Sequence, residues 1–292
     1  MATVAVPRPA AGPASRFWAQ VRRDRAGVGG LVLFALVVAA AVAGPAVVPY
    51  DPRQPDLLAA FQPPSAAHLL GTDQLGRDLL SRVVAGARAS LLGGLGALGV
   101  SLALGVPTGL VAGYAGGAWD DVLMGLVEVL MSFPGVLLAL LAVAVLGGGQ
   151  QNVVLAVGLA SAPAFARLVR GSALALREQE FVVAARALGA RPARVVVRHV
   201  LPGCVPPIAV TAVLRLGITI VTVAGLGFLG LGGDPATPEW GAMLSAGAEF
   251  LRAAPHIALA PGGAMLVTVL SANLFGDAFA DALNPRVRAR RG

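Results

Sequence analysis

The segment EFVVAARALGARPARVVVRHVLP, residues 180–202, stands between two long apolar runs, 153–169 and 205–229. Within it Phe181, Ala184, Ala185 and Leu188 fall at i, i+3, i+4 and i+7, one apolar stripe on a short helix that begins near Glu180. Gly189 sits where such a helix stops, and Pro192 where a second one starts. In that second helix Arg194 and Arg198 share a face at i,i+4, with Arg191 just ahead of them, and Leu201-Pro202 closes it before the next apolar run. The expectation is a helix, a glycine turn and a second helix held at a membrane surface. A small-faced helix displayed this way suits insertion into a groove on another protein. The competing reading is an amphipathic helix lying on lipid through its arginines.

The rest of the chain supplies the membrane. Of 292 residues 57% are hydrophobic and only 13% charged, the composition of an integral membrane protein. A bilayer core about 30 Å thick needs about 20 apolar residues per helical crossing. Six runs qualify: 27–48, 89–112, 122–146, 153–169, 205–229 and 257–275. The fold expected is all-α, six transmembrane helices with both termini cytoplasmic. It divides into a tail and lead-in (1–26), the first helix (27–48), an external segment (49–88), a five-helix core (89–285) containing the loop 171–202, and a basic tail (286–292). The basic leader is about 26 residues and the first apolar run exceeds the 7–15 residues of a cleaved signal, so a retained anchor is expected.

The net charge of +7 is a topological signal rather than a nucleic-acid footprint. All 22 basic residues are Arg, and 16 of them fall in the lead-in to the first helix (Arg8, Arg16, Arg22, Arg23, Arg25), in 167–199, or in the tail from Arg286 onward. With six alternating crossings those share one side, which the positive-inside rule makes cytoplasmic. The 113–121 connection, with Asp120, Asp121 and no Arg, carries no vote. Absent residues exclude chemistry as well. Without a single Lys there is no phosphate-binding Walker loop, so this chain is not a Walker-type ATPase. No HExxH or GxSxG is present, and a lone Cys204 with three His leaves neither a disulfide framework nor the makings of a metal site. No cofactor is expected on this chain, and no catalytic role.

Elsewhere the expectations are local. Residues 1–15 are rich in Ala and Pro, and Trp18 suits the interface. The external segment should run extended through five Pro and then form a solvated helix capped by Asp73, with Asp78 and Arg82 paired at i,i+4. Gly-rich stretches at 93–99 and 147–149 should face other helices. Pro134 kinks or hinges the third crossing. Arg215 lies roughly 13 Å into the fifth crossing, where a charge costs about 2.5–3.5 kcal/mol, so it should face a water-filled pathway or a structural partner. Asp277 with Asp281, and Glu249 with Arg252, read as ordinary charge balance, and Cys204 as a packing residue.

Residues 180–202 also resemble the EAA loop of binding-protein-dependent ABC transporter permeases, with Glu180, Ala184, Ala185, Gly189, Leu201 and Pro202 at the matching places. GTDQLGRDLLSRVVAGARASL (71–91), AGYAGGAWDDVLM (112–124), FLGLGGDPATPEWGAML (228–244) and NLFGDAFADALNPR (273–286) are similar to the second permease subunit of the dipeptide, oligopeptide and nickel family. The resemblance implies a heterodimer with a second homologous permease, two cytoplasmic ATPases that carry the ATP and Mg, and an external solute-binding protein. It implies that the loop docks in an ATPase cleft as a coupling helix, and that a peptide, nickel or another small solute is imported. Gly125 and Glu128 depart from the family pattern, which puts any ion pair made at those positions in doubt. A stand-alone secondary transporter is the alternative; the lack of acidic residues in mid-crossing and of broken helices in matched halves speaks against it.

Overall fold

The computed structural model describes residue 22 and residues 24–234 and 236–283. Expectations resting on Arg8, Arg16, Trp18, Arg23, Asn284-Pro285 and the arginines from Arg286 onward lie outside the described residues.

Helix α1 (Arg25–Val47) opens on Asp24, whose carboxylate accepts from the Ala26 amide at 3.0 Å. Helix α2 runs unbroken through Leu79–Ala115, 37 residues or roughly 55 Å, longer than a bilayer core requires. Helices α3 (Gly117–Met131) and α4 (Gly135–Leu146) occupy the expected third crossing. Helix α5 (Gln150–Arg177) leads to α6 (Glu180–Ala187) and α7 (Pro192–Val195). One π-type turn, Val196–Val200, joins α7 to α8 (Leu201–Phe228). A short α9 (Trp240–Ala248) precedes α10 (His256–Leu283). Five of these segments are long and apolar enough to cross a bilayer, and the α3–α4 pair makes six if it crosses as one.

Packing sorts the helix ends into two groups. The start of α1 lies on α10, where Gly27 meets Ala278 and Gly30 meets Leu274, while Gly44 near its end meets Val84 at the start of α2. The 180–202 loop is therefore at the same end of the bundle as the start of α1 and the end of α10. The opposite, far end carries 49–78, 147–149 and α9. That order agrees with six alternating crossings.

Four expectations need correction. The third crossing is not one kinked helix: α3 and α4 meet at 97° across Ser132-Phe133-Pro134. Pro134 has no amide hydrogen and forces Phe133 out of the helical region, and the Ser132 hydroxyl turns back to the Val129 carbonyl at 2.7 Å. The bundle thus contains a broken helix, although no matched second one occurs among the described residues. Leu201-Pro202 does not end the loop helix. The π turn lets the chain pass Pro202 without a break, because the wider turn moves the carbonyl that the proline ring would strike. The triple glycine at 147–149 is not a packing face but a turn, with Gly147 and Gly149 at φ 87° and 121°.

The 49–78 segment also differs from its reading as a solvated helix. Gly76 takes φ 73°, and α2 begins only after Asp78, whose carboxylate accepts from the Ser81 amide at 2.8 Å. Asp73 instead binds Arg77 at 2.7 Å and Arg82 at 3.5 Å, and Asp78 meets His68 at 2.9 Å. Arg82 also donates to the Pro52 carbonyl at 2.8 Å. All four charged residues are at most 7% exposed, a buried network kept tolerable by its internal pairing. It locks the segment onto α2 and, through the Trp240 indole bonded to the Val83 carbonyl, onto α9.

The most intimate contact in the core is between α2 and α5. Gly105, Gly109 and Gly113 face the carbonyls of Ala162, Ala166 and Arg170, and a Cβ at any of the three would collide with them. Small residues every fourth position let two backbones touch in lipid, where no hydrophobic driving force separates protein from solvent.

Candidate functional site

Helix α6 is eight residues long, too short to persist alone, and two devices hold it. Its C-terminus is a complete Schellman turn: Gly189 at φ 80° donates to Arg186 O at 2.9 Å and Ala190 to Ala185 O at 3.1 Å. Its inner side is anchored by Val182, which is 0% exposed and belongs to a cluster with Leu110 of α2, Val169 and Ala173 of α5, and Val195, Val200 and Cys204. Arg186 lies over the Tyr114 ring at 4.9 Å, a further tie to α2. Cys204 is a packing residue, as its type suggested.

The opposite side is open. Phe181 is 50% and Leu188 89% exposed, with Glu180, Ala184 and Gly189 exposed beside them. Arg191, Arg194, Arg198 and Pro202 are exposed too, whereas Ala185 and Leu201 are half-buried against the anchoring cluster. Of the eleven sequence-selected loop residues, nine are thus exposed and two, Ala185 and Leu201, form part of the footing.

Next to the loop lies an arrangement the sequence reading missed. Arg170 of α5 grips Asp120 of α3 with two parallel bonds, Nε to Oδ1 at 2.6 Å and Nη2 to Oδ2 at 2.7 Å. Arg177 donates to the Gly113 carbonyl at 3.2 Å and pairs with Glu178 at 2.9 Å. The cationic end of α5 thus holds the α2–α3 junction. The pair forms at Asp120 rather than at the divergent positions Gly125 and Glu128.

Arg215 is half-buried in α8, and its guanidinium carbon sits 5.9 Å over the ring of fully buried Phe165. No ion pair among the described residues includes it. Asp277 and Asp281 are exposed along α10, as are Glu249 and Arg252 at the far end. There a cavity of about 570 Å³ opens among Gln74, Gln150, Asp234, Glu239 and Glu249. The Glu239 carboxylate caps α9, accepting from Gly241 and Ala242 at 2.8 and 2.9 Å.

A bundle of helices long and apolar enough to cross a bilayer, with one short helix displayed at its surface, is the architecture of a polytopic membrane protein. The comparisons make this specific. The family described as binding-protein-dependent transport system inner membrane component matches residues 105–289, and the N-terminal transmembrane domain of oligopeptide transport permease C matches residues 12–64. The glutathione transport system permease protein GsiD of Pectobacterium atrosepticum is 42% identical over 278 residues, 95% of this chain and 92% of its own. That of Escherichia coli O157:H7 is 43% identical over 277 residues, 94% of this chain and 91% of its own. Among solved structures, the inward-facing MetNI methionine ABC transporter superposes with a TM-score of 0.57 at 19% identity, over 70% of this chain and 98% of that one, a likeness of fold. The chain belongs to the binding-protein-dependent ABC importer permeases of the inner membrane. It is a multi-pass transport subunit, not an enzyme.

Proposed function

We propose that this chain is one of two homologous permeases of an ATP-driven peptide importer, moved through its 180–202 loop by two cytoplasmic ATPases. The observation that carries the reading is the stripe of Phe181, Ala184 and Leu188, exposed on a helix whose other side is locked into the bundle by Val182. An apolar stripe on a rigid, small-faced helix fits a groove, and a push on it reaches α2, α5 and α8 through one contiguous cluster. Arg191, Arg194 and Arg198 around it meet acidic ATPase residues or lipid headgroups. ATP and Mg stay on the ATPases, and an external solute-binding protein delivers the cargo to the far end. Both termini and the loop are cytoplasmic in this arrangement.

The cargo is a short peptide. Glutathione, named in the relatives, is itself a tripeptide, and Arg215 on the route offers a cation, partnered among the described residues by a ring face and by no ion pair, to a passing carboxylate. Uptake of labelled dipeptides, longer peptides, glutathione and nickel by cells expressing the whole transporter tests this. Peptide uptake abolished by ATP depletion is expected. Uptake of nickel alone would move the cargo to a metal, and uptake that survives ATP depletion but collapses with the proton gradient would overturn the ABC-driven reading.

A further inference from the structure

We propose that the Asp120–Arg170 ion pair is a positioning latch that makes the broken arm α3–α4 follow the loop when the ATPases move it. The proposal rests on the coupling role assigned to 180–202 above. The arm is hinged at both ends by glycines in conformations other residues avoid: Gly116 and Gly117 at φ 67° and 55°, Gly147 and Gly149 at 87° and 121°. It is bent by 97° in the middle. It is also lightly packed, with Met124 and Val127 of α3 and Ala139 and Val143 of α4 its only buried residues. Trp119, Val122, Leu126, Leu137 and Leu141 are all more than half exposed. Few buried contacts between two hinges describe an element that moves readily on its own.

The α2–α5 unit is the opposite, two backbones interlocked along three glycines. Arg170 belongs to that unit and lies two turns before the end of α5, from which Glu178 and Gln179 lead directly into α6. Any displacement of α6 is therefore felt at Arg170. Across the hinge, Asp120 is bound by two bonds of 2.6 and 2.7 Å, which fix orientation as well as distance. Asp120 is 15% and Arg170 36% exposed, so solvent does not fully screen the pair. Without it the arm keeps its four buried side chains, the partly buried Leu123, Leu140 and Ala142 packed beside them, and its hinges, and α5 can move while α3 stays behind. Asp121 is the internal control: it is next in sequence, exposed, and makes no ion pair with Arg170.

The test uses the assembled transporter, both permeases with ATPases and binding protein, in proteoliposomes, with solute uptake and ATP hydrolysis measured together. Asp120→Asn is expected to lower uptake per ATP by at least about fivefold, the low end of site-to-site coupling. Asp121→Asn should leave the ratio unchanged, and the exchanged pair Asp120→Arg with Arg170→Asp should restore it. A wild-type ratio in Asp120→Asn overturns the latch, as does an exchanged pair that assembles yet transports no better than the single variant. If Asp120→Asn fails to assemble, the exchanged pair alone decides. Leu188→Glu separates the two levels: if it leaves the ATPase bound and driven, the coupling reading fails and the latch with it. If it releases the ATPase while Asp120→Asn keeps a wild-type ratio, the latch alone fails.

Discussion

Val182→Ala isolates the anchoring of the displayed helix from its surface. Val182 is fully buried, whereas Val183, the next residue of α6, is 51% exposed, so the same two-methyl truncation can be made at a foot and at a face. At about 0.8 kcal/mol per buried methyl-sized group, Val182→Ala forfeits about 1.6 kcal/mol, and incomplete collapse of the cavity adds to that. Helix α6 has no stability of its own to absorb the loss. Its amides, followed by hydrogen exchange in the detergent-purified protein, should therefore exchange about fifteenfold faster, since 1.36 kcal/mol is a factor of ten. Val183→Ala should change them by less than about threefold, a surface effect. Equal acceleration in both variants, or none in Val182→Ala, would refute the argument that the buried cluster holds the helix in place.

Other outcomes follow from the same packing and charges. A Cβ on Gly105 would lie 2.5 Å from the Ala162 carbonyl oxygen, which cannot swing away, so Gly105→Ala should destabilise the α2–α5 contact by about 1–3 kcal/mol. Gly99→Ala in the same helix meets nothing within 4 Å and should not, as thermal unfolding in detergent will report. Asp73→Ala strands Arg77 and Arg82 in a buried site, and a loss of about 3–5 kcal/mol is expected in the same assay. Arg215→Gln should raise the KM for peptide uptake by about tenfold or more, the worth of a charge-assisted bond, without lowering the unfolding temperature. Unchanged uptake of every peptide would remove Arg215 from the route.

The loop was legible because local rules govern it. The four-residue apolar spacing, the glycine at the helix end and the proline opening the second helix each act within a few residues, and α6, its Schellman turn and α7 fall where those signals stand. The crossings were legible as apolar mass but not in length. The stretch from Leu79 to Ala89 read as a separate external helix rather than as the start of α2, because Arg82 and Arg88 interrupt its apolar residues; in the fold Arg82 is paired by Asp73, nine residues upstream and outside the helix. Pro134 announced a bend; its size depends on Phe133 and Ser132 leaving the helix together. The Asp120–Arg170 pair was beyond sequence reasoning, because fifty residues separate its partners and only the interlocked glycines of α2 bring α5 within reach. An acidic pair, Asp120-Asp121, in a connection at the otherwise Arg-bearing end of the bundle was the available hint.

The measurement that bears most directly on the account is a photo-crosslinking residue at Leu188, 89% exposed at the tip of the displayed stripe, in living cells. The account predicts that the captured protein is an ATPase carrying a Walker phosphate-binding loop. Lipid adducts only, or none while a probe at exposed Leu251 at the far end reacts, would contradict it and leave the loop lying on the membrane.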